Sequence, residues 1–141
     1  MRTDVRSQPC LRREHEAKKE RPPTVLLVED DENTLFAMNK LFLRRGYLVL
    51  TAKTGHDAIG MLKQPLAPVD LVLLDAHLPD VDGPALVARL RELEPSLPIV
   101  VCSGEADAEE VAELVRSGAV RYFSKPIAAD ELLAAVETLL N

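Results

Sequence analysis

Short apolar runs alternate with segments of helical periodicity from Thr24 onward, and this alternation constrains the fold more than any other feature of the sequence. The runs cover residues 24–28, 47–51, 69–74, 98–102 and 119–123. They lack the alternation of a sheet with one wet face, so each is predicted to be a strand buried on both faces. Strands that alternate with helices of about three turns pair in parallel through right-handed crossovers. The sequence therefore predicts an α/β fold in which five helices doubly wind a five-stranded parallel sheet.

Apolar stripes between the runs predict the helices and their ends. The stripes are Leu35, Met38, Leu41 and Phe42; Ala58, Met61 and Leu62; Leu86, Val87, Leu90 and Leu93; Val111, Leu114 and Val115; and Leu132, Leu133, Val136, Leu139 and Leu140. Gly46, Pro65 and Gly118 are predicted to end the first, second and fourth helices, and Pro84 suits the first turn of the third.

Composition excludes several classes of protein. The 141 residues fit one domain, with 47% hydrophobic and 28% charged residues. A net charge of −6 argues against nucleic-acid binding through a basic face. No apolar run approaches the length of a membrane span, and the charged opening stretch is not a secretory signal. Cys10 and Cys102 do not make a disulfide framework. We therefore expect a cytoplasmic protein that binds neither nucleic acid nor membrane.

Charge divides the chain into two segments. Residues 1–23 carry a net charge of +3 and the remainder carries −9, with the boundary at Pro22-Pro23. We predict that residues 1–23 are a basic, flexible N-terminal extension and that residues 24–141 are the domain. The extension is either a solvated leader without a role or a docking arm for an acidic surface.

Polar residues gather where the predicted strands end. Glu29 and Asp30 follow the first strand, Asp75 the third, Ser103 the fourth, and Lys125 the fifth. Ligand sites of parallel sheets lie at this edge. A single acidic residue here usually caps a helix, but carboxylates about 5 Å apart repel by roughly 3 kcal/mol per pair at an effective dielectric near 20. A hard divalent cation compensates such charge, so the sequence predicts a site for a metal-bound anion.

The chain from residue 24 to 141 resembles the receiver domain of two-component response regulators in the order and spacing of four motifs. These are Val25-Leu-Leu-Val-Glu-Asp-Asp31, Leu71-Val-Leu-Leu-Asp-Ala-His-Leu-Pro-Asp-Val-Asp-Gly83, Pro98-Ile-Val-Val-Cys-Ser-Gly104 and Tyr122-Phe-Ser-Lys-Pro126. The resemblance implies the flavodoxin-like (βα)5 sheet of that family. Because the last helix reaches Asn141, we expect a single-domain regulator similar to the chemotaxis receivers, without an output domain of its own.

The resemblance also implies which residues carry the chemistry. Asp75 would accept a phosphoryl group from a partner's phosphohistidine. Glu29 and Asp30 would hold Mg²⁺ or Mn²⁺ together with Asp75, with Asp30 the more direct ligand, and the backbone carbonyl of His77 would supply a further ligand. Lys125 would neutralise a phosphoryl oxygen. Metal and lysine would spread the charge that develops in phosphoryl transfer.

A conformational switch is implied in the same way. The backbone amides of Ala76 and Gly104 would contact the phosphoryl group, and Ser103 would donate its hydroxyl to it. Tyr122 would follow by turning inward. The loop after the fourth strand and the helix predicted at residues 105–117 would move with Ser103 and change the surface offered to partners.

The implied partners are a histidine kinase or a histidine phosphotransfer protein, and a downstream protein target that the sequence does not identify. A homodimer formed on phosphorylation stays open.

The alternative function is a Mg²⁺-dependent phosphatase or phosphotransferase that forms an aspartyl-phosphate, but such enzymes commonly carry a second Asp where this chain has His77. A phosphate-independent binding domain is disfavoured by the intact acidic pair and Lys125.

Residues around the site receive structural interpretations. Asp31 is expected to cap the first helix with Asn33, and Asp80 and Asp82 to serve the turn into Pro84, with Gly83 supplying backbone freedom. Cys102 is expected to be a buried strand thiol.

His77 is interpreted as an imidazole at the rim of the pocket. The resemblance implies that His77 and Glu105 tune the lifetime of the phosphoryl group, and that the Lys125-Pro126 peptide is cis.

Overall fold

The computed structural model describes residues 21–64 and 67–141, in which five parallel strands form one sheet with five helices. The strands are β1 (Thr24–Val28), β2 (Leu48–Ala52), β3 (Leu71–Asp75), β4 (Ile99–Ser103) and β5 (Arg121–Ser124). The helices are α1 (Glu32–Arg44), α2 (Gly55–Lys63), α3 (Gly83–Leu93), α4 (Ala108–Ser117) and α5 (Ala129–Leu140). This order confirms the predicted α/β fold. The predictions for Pro65 and for the extension up to residue 20 fall outside the described residues.

The sheet separates two hydrophobic cores. Alternate side chains of β1 and β3 point to opposite faces, so that Leu26 and Val72 join one core while Leu27 and Leu73 join the other. The first core is closed by α2, α3 and α4, and the second by α1 and α5. Helices on both faces explain why the central strands are continuous apolar runs.

The edge strands correct one prediction. The sheet order is β2-β1-β3-β4-β5, so β2 and β5 each pair on one side only. Both strands carry exposed and half-buried residues, and Leu48 in β2 is 46% exposed. Burial on both faces therefore holds for β1, β3 and β4 and is wrong for the two edge strands, each of which has a neighbouring strand on one side only.

Glycine ends two helices as predicted. Gly46 follows α1 with φ of 87°, and Gly118 caps α4 with φ of 126°. This left-handed region is unfavourable for residues with a β-carbon. Pro84 lies in the first turn of α3, again as predicted. The stripe assigned to α4 is wrong at Val115, which is 53% exposed, because α4 buries only Leu114 fully.

Strand pairing aligns the carboxyl ends of the central strands. Val28 pairs with Leu74 across β1 and β3, and Asp75 pairs with Cys102 across β3 and β4. The chain leaves β1 for β2 on one side and returns to β3 on the other, which makes the gap between β1 and β3 the topological switch point. Residues after these strands are thereby brought to one place at the sheet edge.

Candidate functional site

Three carboxylates meet at this edge. Glu29 and Asp30 follow β1, Asp75 ends β3, and one oxygen of each lies within 4.8 Å of the others. Glu29 is buried, Asp75 half-buried and Asp30 exposed, so the cluster opens to solvent on one side. Oxygen donors with open positions fit a hard cation such as Mg²⁺, which keeps several waters. The predicted acidic residues are therefore together in space.

Lys125 lies beside two of these carboxylates. Its Nζ is 2.8 Å from Oε1 of Glu29 and 3.7 Å from Oδ2 of Asp75. Its backbone N–H donates to the carbonyl of Ser103 at 2.9 Å, which fixes the residue against the end of β4. The peptide to Pro126 is cis, as the family resemblance implied. One ammonium thus faces three carboxylates, which leaves the cluster with surplus negative charge.

Burial and Lys125 have opposite effects on the pKa of Glu29. Burial raises the pKa of this carboxyl, and hydrogen bonds from Lys125 and from the backbone N–H of Asp31 offset the rise only in part. Burial also lowers the pKa of Lys125, but the hydrogen bond to Glu29 and the charge of Asp75 outweigh it, and the net shift is upward. Lys125 is therefore a fixed positive charge at neutral pH.

Asp75 has one partner for each oxygen. The backbone N–H of His77 donates to Oδ1 at 3.1 Å, and Oδ2 faces Lys125. A cleft of about 560 Å³ opens beside Asp30, Ala76 and His77, which gives a ligand access to the Asp30 side of the cluster. Ala76 directly follows Asp75 and is buried.

Close packing against the backbone of Ala76 explains why residue 83 is a glycine. A β-carbon at Gly83 would lie 2.8 Å from the carbonyl oxygen of Ala76, closer than real contacts allow. The backbone of Gly83 has no positive φ. The predicted need for backbone freedom is therefore wrong, and the glycine serves close approach to the loop that follows Asp75.

His77 lies at the rim as predicted, with 47% of its side chain exposed, but its ring makes two contacts that the sequence did not indicate. Nδ1 is 2.9 Å from Oγ of Ser103, which is fully buried. Nε2 is 3.0 Å from Oε2 of Glu110 in the first turn of α4. Sequence reasoning missed Glu110, because nothing in its local pattern distinguishes it from the other acids of that helix.

Tyr122 and Ser103 are joined through the backbone. The phenol O–H of Tyr122 donates to the carbonyl of Ser103 at 3.2 Å, and its ring packs partly buried against the core under α2, α3 and α4. Gly104 directly follows Ser103 at the end of β4. The predicted switch residues are thus in contact with each other.

The neighbouring acids cap helices. Asp31 accepts from the backbone N–H and hydroxyl of Thr34 at 2.9 and 2.6 Å, which confirms the capping role, although Asn33 has no part in the cap. Those bonds lower the pKa of Asp31. Asp82, which was predicted to serve the turn into Pro84, accepts from the backbone N–H of Ala85 and caps α3.

Asp80 does not serve the turn into Pro84, contrary to the prediction. It accepts from the backbone N–H groups of Gly55 and His56, each at 2.9 Å, and so ties the loop after β3 to the start of α2. Both bonds lower its pKa. The first N–H groups of a helix have no partner within the helix, which makes them available to a carboxylate from a distant segment.

Cys102 is a buried strand thiol, as predicted. Burial raises its pKa to about 12, so the reactive thiolate is absent at neutral pH.

The chain has sequence relatives over most of its length. The family model described as "Response regulator receiver domain" matches residues 25–137. The transcriptional regulatory protein ZraR of Salmonella typhimurium is 31% identical over 116 residues, which are 82% of this chain and 26% of ZraR. The chain thus spans about a quarter of the length of that curated relative.

Solved structures agree with the fold. The signal receiver domain of an HD domain-containing protein from Pseudomonas fluorescens is 35% identical, with a TM-score of 0.80 over 85% of this chain and 95% of that one. The beryllofluoride-activated NtrC4 receiver domain dimer is 25% identical, with a TM-score of 0.76 over 83% of this chain and 95% of that one. Among residues 21–64 and 67–141, no helix is long and apolar enough to span a membrane.

Proposed function

The chain belongs to the response regulator receiver domain family, whose members are phosphorylation-switched modules of two-component signalling, and we propose that Asp75 is its phosphoacceptor. The donor is the phosphohistidine of a histidine kinase or a histidine phosphotransfer protein. The observation that carries this proposal is the cluster of Glu29, Asp30 and Asp75 within 4.8 Å, with Lys125 at 3.7 Å from Asp75.

Mg²⁺ or Mn²⁺ is the proposed cofactor. Asp30 and Asp75 would ligate it directly, Glu29 would orient its waters, and the backbone carbonyl of His77 would add a further oxygen. The donor set supports a hard cation, because every side-chain ligand is a carboxylate and one face is open to water. When bound, the cation supplies charge neutralisation at the phosphoryl oxygens.

Asp75 is placed to act as the nucleophile in the proposed transfer. One of its oxygens attacks the phosphorus, the P–N bond of the donor breaks as the P–O bond forms, and the imidazole leaves with the bonding electrons. Lys125 holds a positive charge at the incoming oxygens, and the backbone amides of Ala76 and Gly104 are proposed to donate to them.

Ser103 and Tyr122 are the proposed switch. The new phosphoryl group adds about −1.5 to −2 charges beside Ser103, whose hydroxyl becomes its donor. Since the carbonyl of Ser103 accepts from both Tyr122 and the backbone of Lys125, a displacement of Ser103 is transmitted to both. We expect the loop after β4, helix α4 and strand β5 to change their surface together.

Proteins are the proposed partners of this domain. An apolar groove of about 460 Å³, lined by Met38, Leu41, Ile127 and Leu132, lies directly beside Lys125 and supports docking of a helical phosphodonor there. The beryllofluoride-activated NtrC4 receiver is a dimer, which supports a homodimer of this chain on phosphorylation. The proposed downstream target is a further protein, because the net negative charge of the chain disfavours binding of nucleic acid.

An enzyme acting on external phosphoesters is the weaker alternative. Enzymes that form an aspartyl-phosphate commonly place a general acid two residues after the nucleophile, and here the ring of His77 is already bonded to Ser103 and Glu110. Turnover of a phosphoester panel at a rate above that of the Asp75→Asn variant would favour this alternative.

The test is binding of beryllofluoride and phosphorylation by acetyl phosphate, each with and without Mg²⁺. We expect a mass increase of one phosphoryl group and altered amide shifts in residues 105–123, both dependent on Mg²⁺ and both abolished in Asp75→Asn. The matched control is Asp57→Asn in the first turn of α2, which should behave like the wild type. Modification that survives in Asp75→Asn, or that proceeds equally without Mg²⁺, contradicts the proposal.

A further inference from the structure

A chain of side chains connects the buried switch hydroxyl to helix α4. Ser103 Oγ contacts Nδ1 of His77, and Nε2 of the same ring contacts Glu110. Ser103 ends β4 at the sheet edge and has no solvent exposure, whereas Glu110 lies in the first turn of α4. The imidazole therefore spans from the interior of the site to the element whose surface is expected to change.

The partners of the ring decide its hydrogen positions. A carboxylate can only accept hydrogen bonds, so Nε2 beside Glu110 must carry a hydrogen. In the neutral imidazole Nδ1 is then an acceptor, and the hydroxyl of Ser103 must donate to it. In either protonation state the 2.9 Å contact holds the Ser103 hydroxyl at Nδ1, and with the neutral ring it uses the single hydrogen of that hydroxyl.

Phosphorylation of Asp75 introduces a competing acceptor. A hydroxyl has one hydrogen to donate, so Ser103 cannot donate to Nδ1 and to a phosphoryl oxygen at once. An anionic acceptor forms the stronger, charge-assisted bond. The hydroxyl therefore leaves the imidazole when the phosphoryl group is present.

Helix α4 is held differently at its two ends. Its first turn contacts the ring of His77 through Glu110. At its other end, the carbonyl of the capping residue Gly118 accepts from Nη2 of Arg91 at 2.7 Å, while Nη1 of Arg91 donates to the carbonyls of Pro95 and Leu97. Release of His77 would remove the contact at the end of α4 near the site and leave the Arg91 contacts at the other end in place.

We propose that His77 is a positioning residue that holds the Ser103 hydroxyl in the unphosphorylated state and couples its release to the first turn of α4 through Glu110. This inference rests on the proposed function of Asp75. We call the contacts of His77 with Ser103 and Glu110 the latch. Phosphoryl binding must break the contact with Ser103, so removing the His77 ring favours the arrangement in which Ser103 donates to the phosphoryl group.

The test is the affinity for beryllofluoride at saturating Mg²⁺, measured by titration of backbone amide signals in the full chain. This ligand binds reversibly and is not hydrolysed, so effects on phosphoryl lifetime do not enter. His77→Ala retains the backbone carbonyl and should tighten binding about two- to tenfold, the equivalent of one neutral hydrogen bond lost from the resting state.

A second background makes the test specific. In Ser103→Ala, the hydroxyl that His77 holds is absent, so adding His77→Ala should leave the affinity unchanged. A merely structural role of the histidine would alter both backgrounds alike. Tightening of equal size in the two backgrounds, or no tightening in the first, overturns the inference.

Helix α4 provides the second readout. Glu110→Ala should speed amide hydrogen exchange in residues 108–111 of the unphosphorylated protein, by about the same two- to tenfold factor. The matched control is Glu109→Ala, which removes the same charge from an exposed neighbour on the same turn and should leave exchange unchanged. Equal acceleration in both variants contradicts the latch.

The two proposals fail in different ways. Loss of beryllofluoride binding in the wild type, or binding that persists in Asp75→Asn, refutes the proposed function and the inference with it. Normal binding at Asp75 combined with unchanged affinity in His77→Ala refutes the latch alone.

Discussion

The two edges of the sheet differ in how the charge of their carboxylates is balanced. At the amino edge, Asp70 is bound by both terminal nitrogens of Arg21 at 3.0 and 3.1 Å and by the backbone N–H of Thr24 at 2.8 Å. At the carboxyl edge, three carboxylates lie together, and within residues 21–64 and 67–141 the one ammonium that pairs with them is that of Lys125, which contacts Glu29 and Asp75. The first carboxylate is paired with an arginine, whereas the second group keeps surplus negative charge. Surplus charge, rather than the presence of acids, therefore distinguishes the edge that holds the candidate site.

The same change of Asp to Asn should have opposite effects on stability at the two edges. Asp70→Asn removes a charge-assisted pair whose carboxylate is only 12% exposed, and it weakens the bond to the amide of Thr24. We expect the free energy of unfolding to fall by about 2 kcal/mol, measured by urea denaturation followed by circular dichroism. Glu113→Gln, at an exposed site on α4, is the control and should change it by less than about 0.5 kcal/mol. A loss no larger than the control's would mean that the amino edge is not a stabilising site.

Asp75→Asn should instead stabilise the protein when no divalent cation is present. The substitution relieves repulsion with Glu29 and Asp30 and gives up a longer contact with Lys125. We expect the free energy of unfolding to rise by about 1 kcal/mol in EDTA. This rise is smaller than the repulsion of roughly 3 kcal/mol per pair at an effective dielectric near 20, because the cluster is partly open to water. Addition of Mg²⁺ should then stabilise the wild type more than the variant. Destabilisation of Asp75→Asn in EDTA would place the carboxyl edge in the same class as the amino edge.

Asp80 should have the smallest effect, and its effect should depend on pH. Its pKa is lowered by the amides of Gly55 and His56, so its contribution to stability is present above the ordinary value of 3.8 and is lost as pH falls through the lowered pKa. We therefore expect Asp80→Asn to be less stable than the wild type at pH 6, and the two to converge in acid. Unfolding curves from pH 2 to 6 test this. A difference that grows toward low pH would contradict it.

Local pattern and strand direction were sufficient to predict the fold and the acidic cluster. Apolar runs show where the strands lie along the chain, and parallel pairing then brings Asp30, Asp75 and Lys125 to one edge. The exposure of β2 and β5 could not be read in this way, because it depends on which strands become the edges. Strand order follows from crossovers, which no single run encodes.

Contacts between distant segments were the part that sequence could not supply. Asp80 follows a strand and precedes a proline, so a turn was the natural interpretation, yet its partners are amides of Gly55 and His56 at the start of α2. The bonds of His77 to Ser103 and Glu110 are of the same kind. Side chains at the ends of elements have several donors within reach, and tertiary packing selects among them.

Arg91 anchors Gly118 and so holds the C-terminal end of α4. A helix held at one end moves least at that end and most at the opposite end. On phosphorylation, the displacement of α4 should therefore grow from Ser117 toward Ala108. A partner that binds the N-terminal end of α4 would distinguish the phosphorylated from the unphosphorylated protein, whereas a partner that binds the C-terminal end would bind both forms alike.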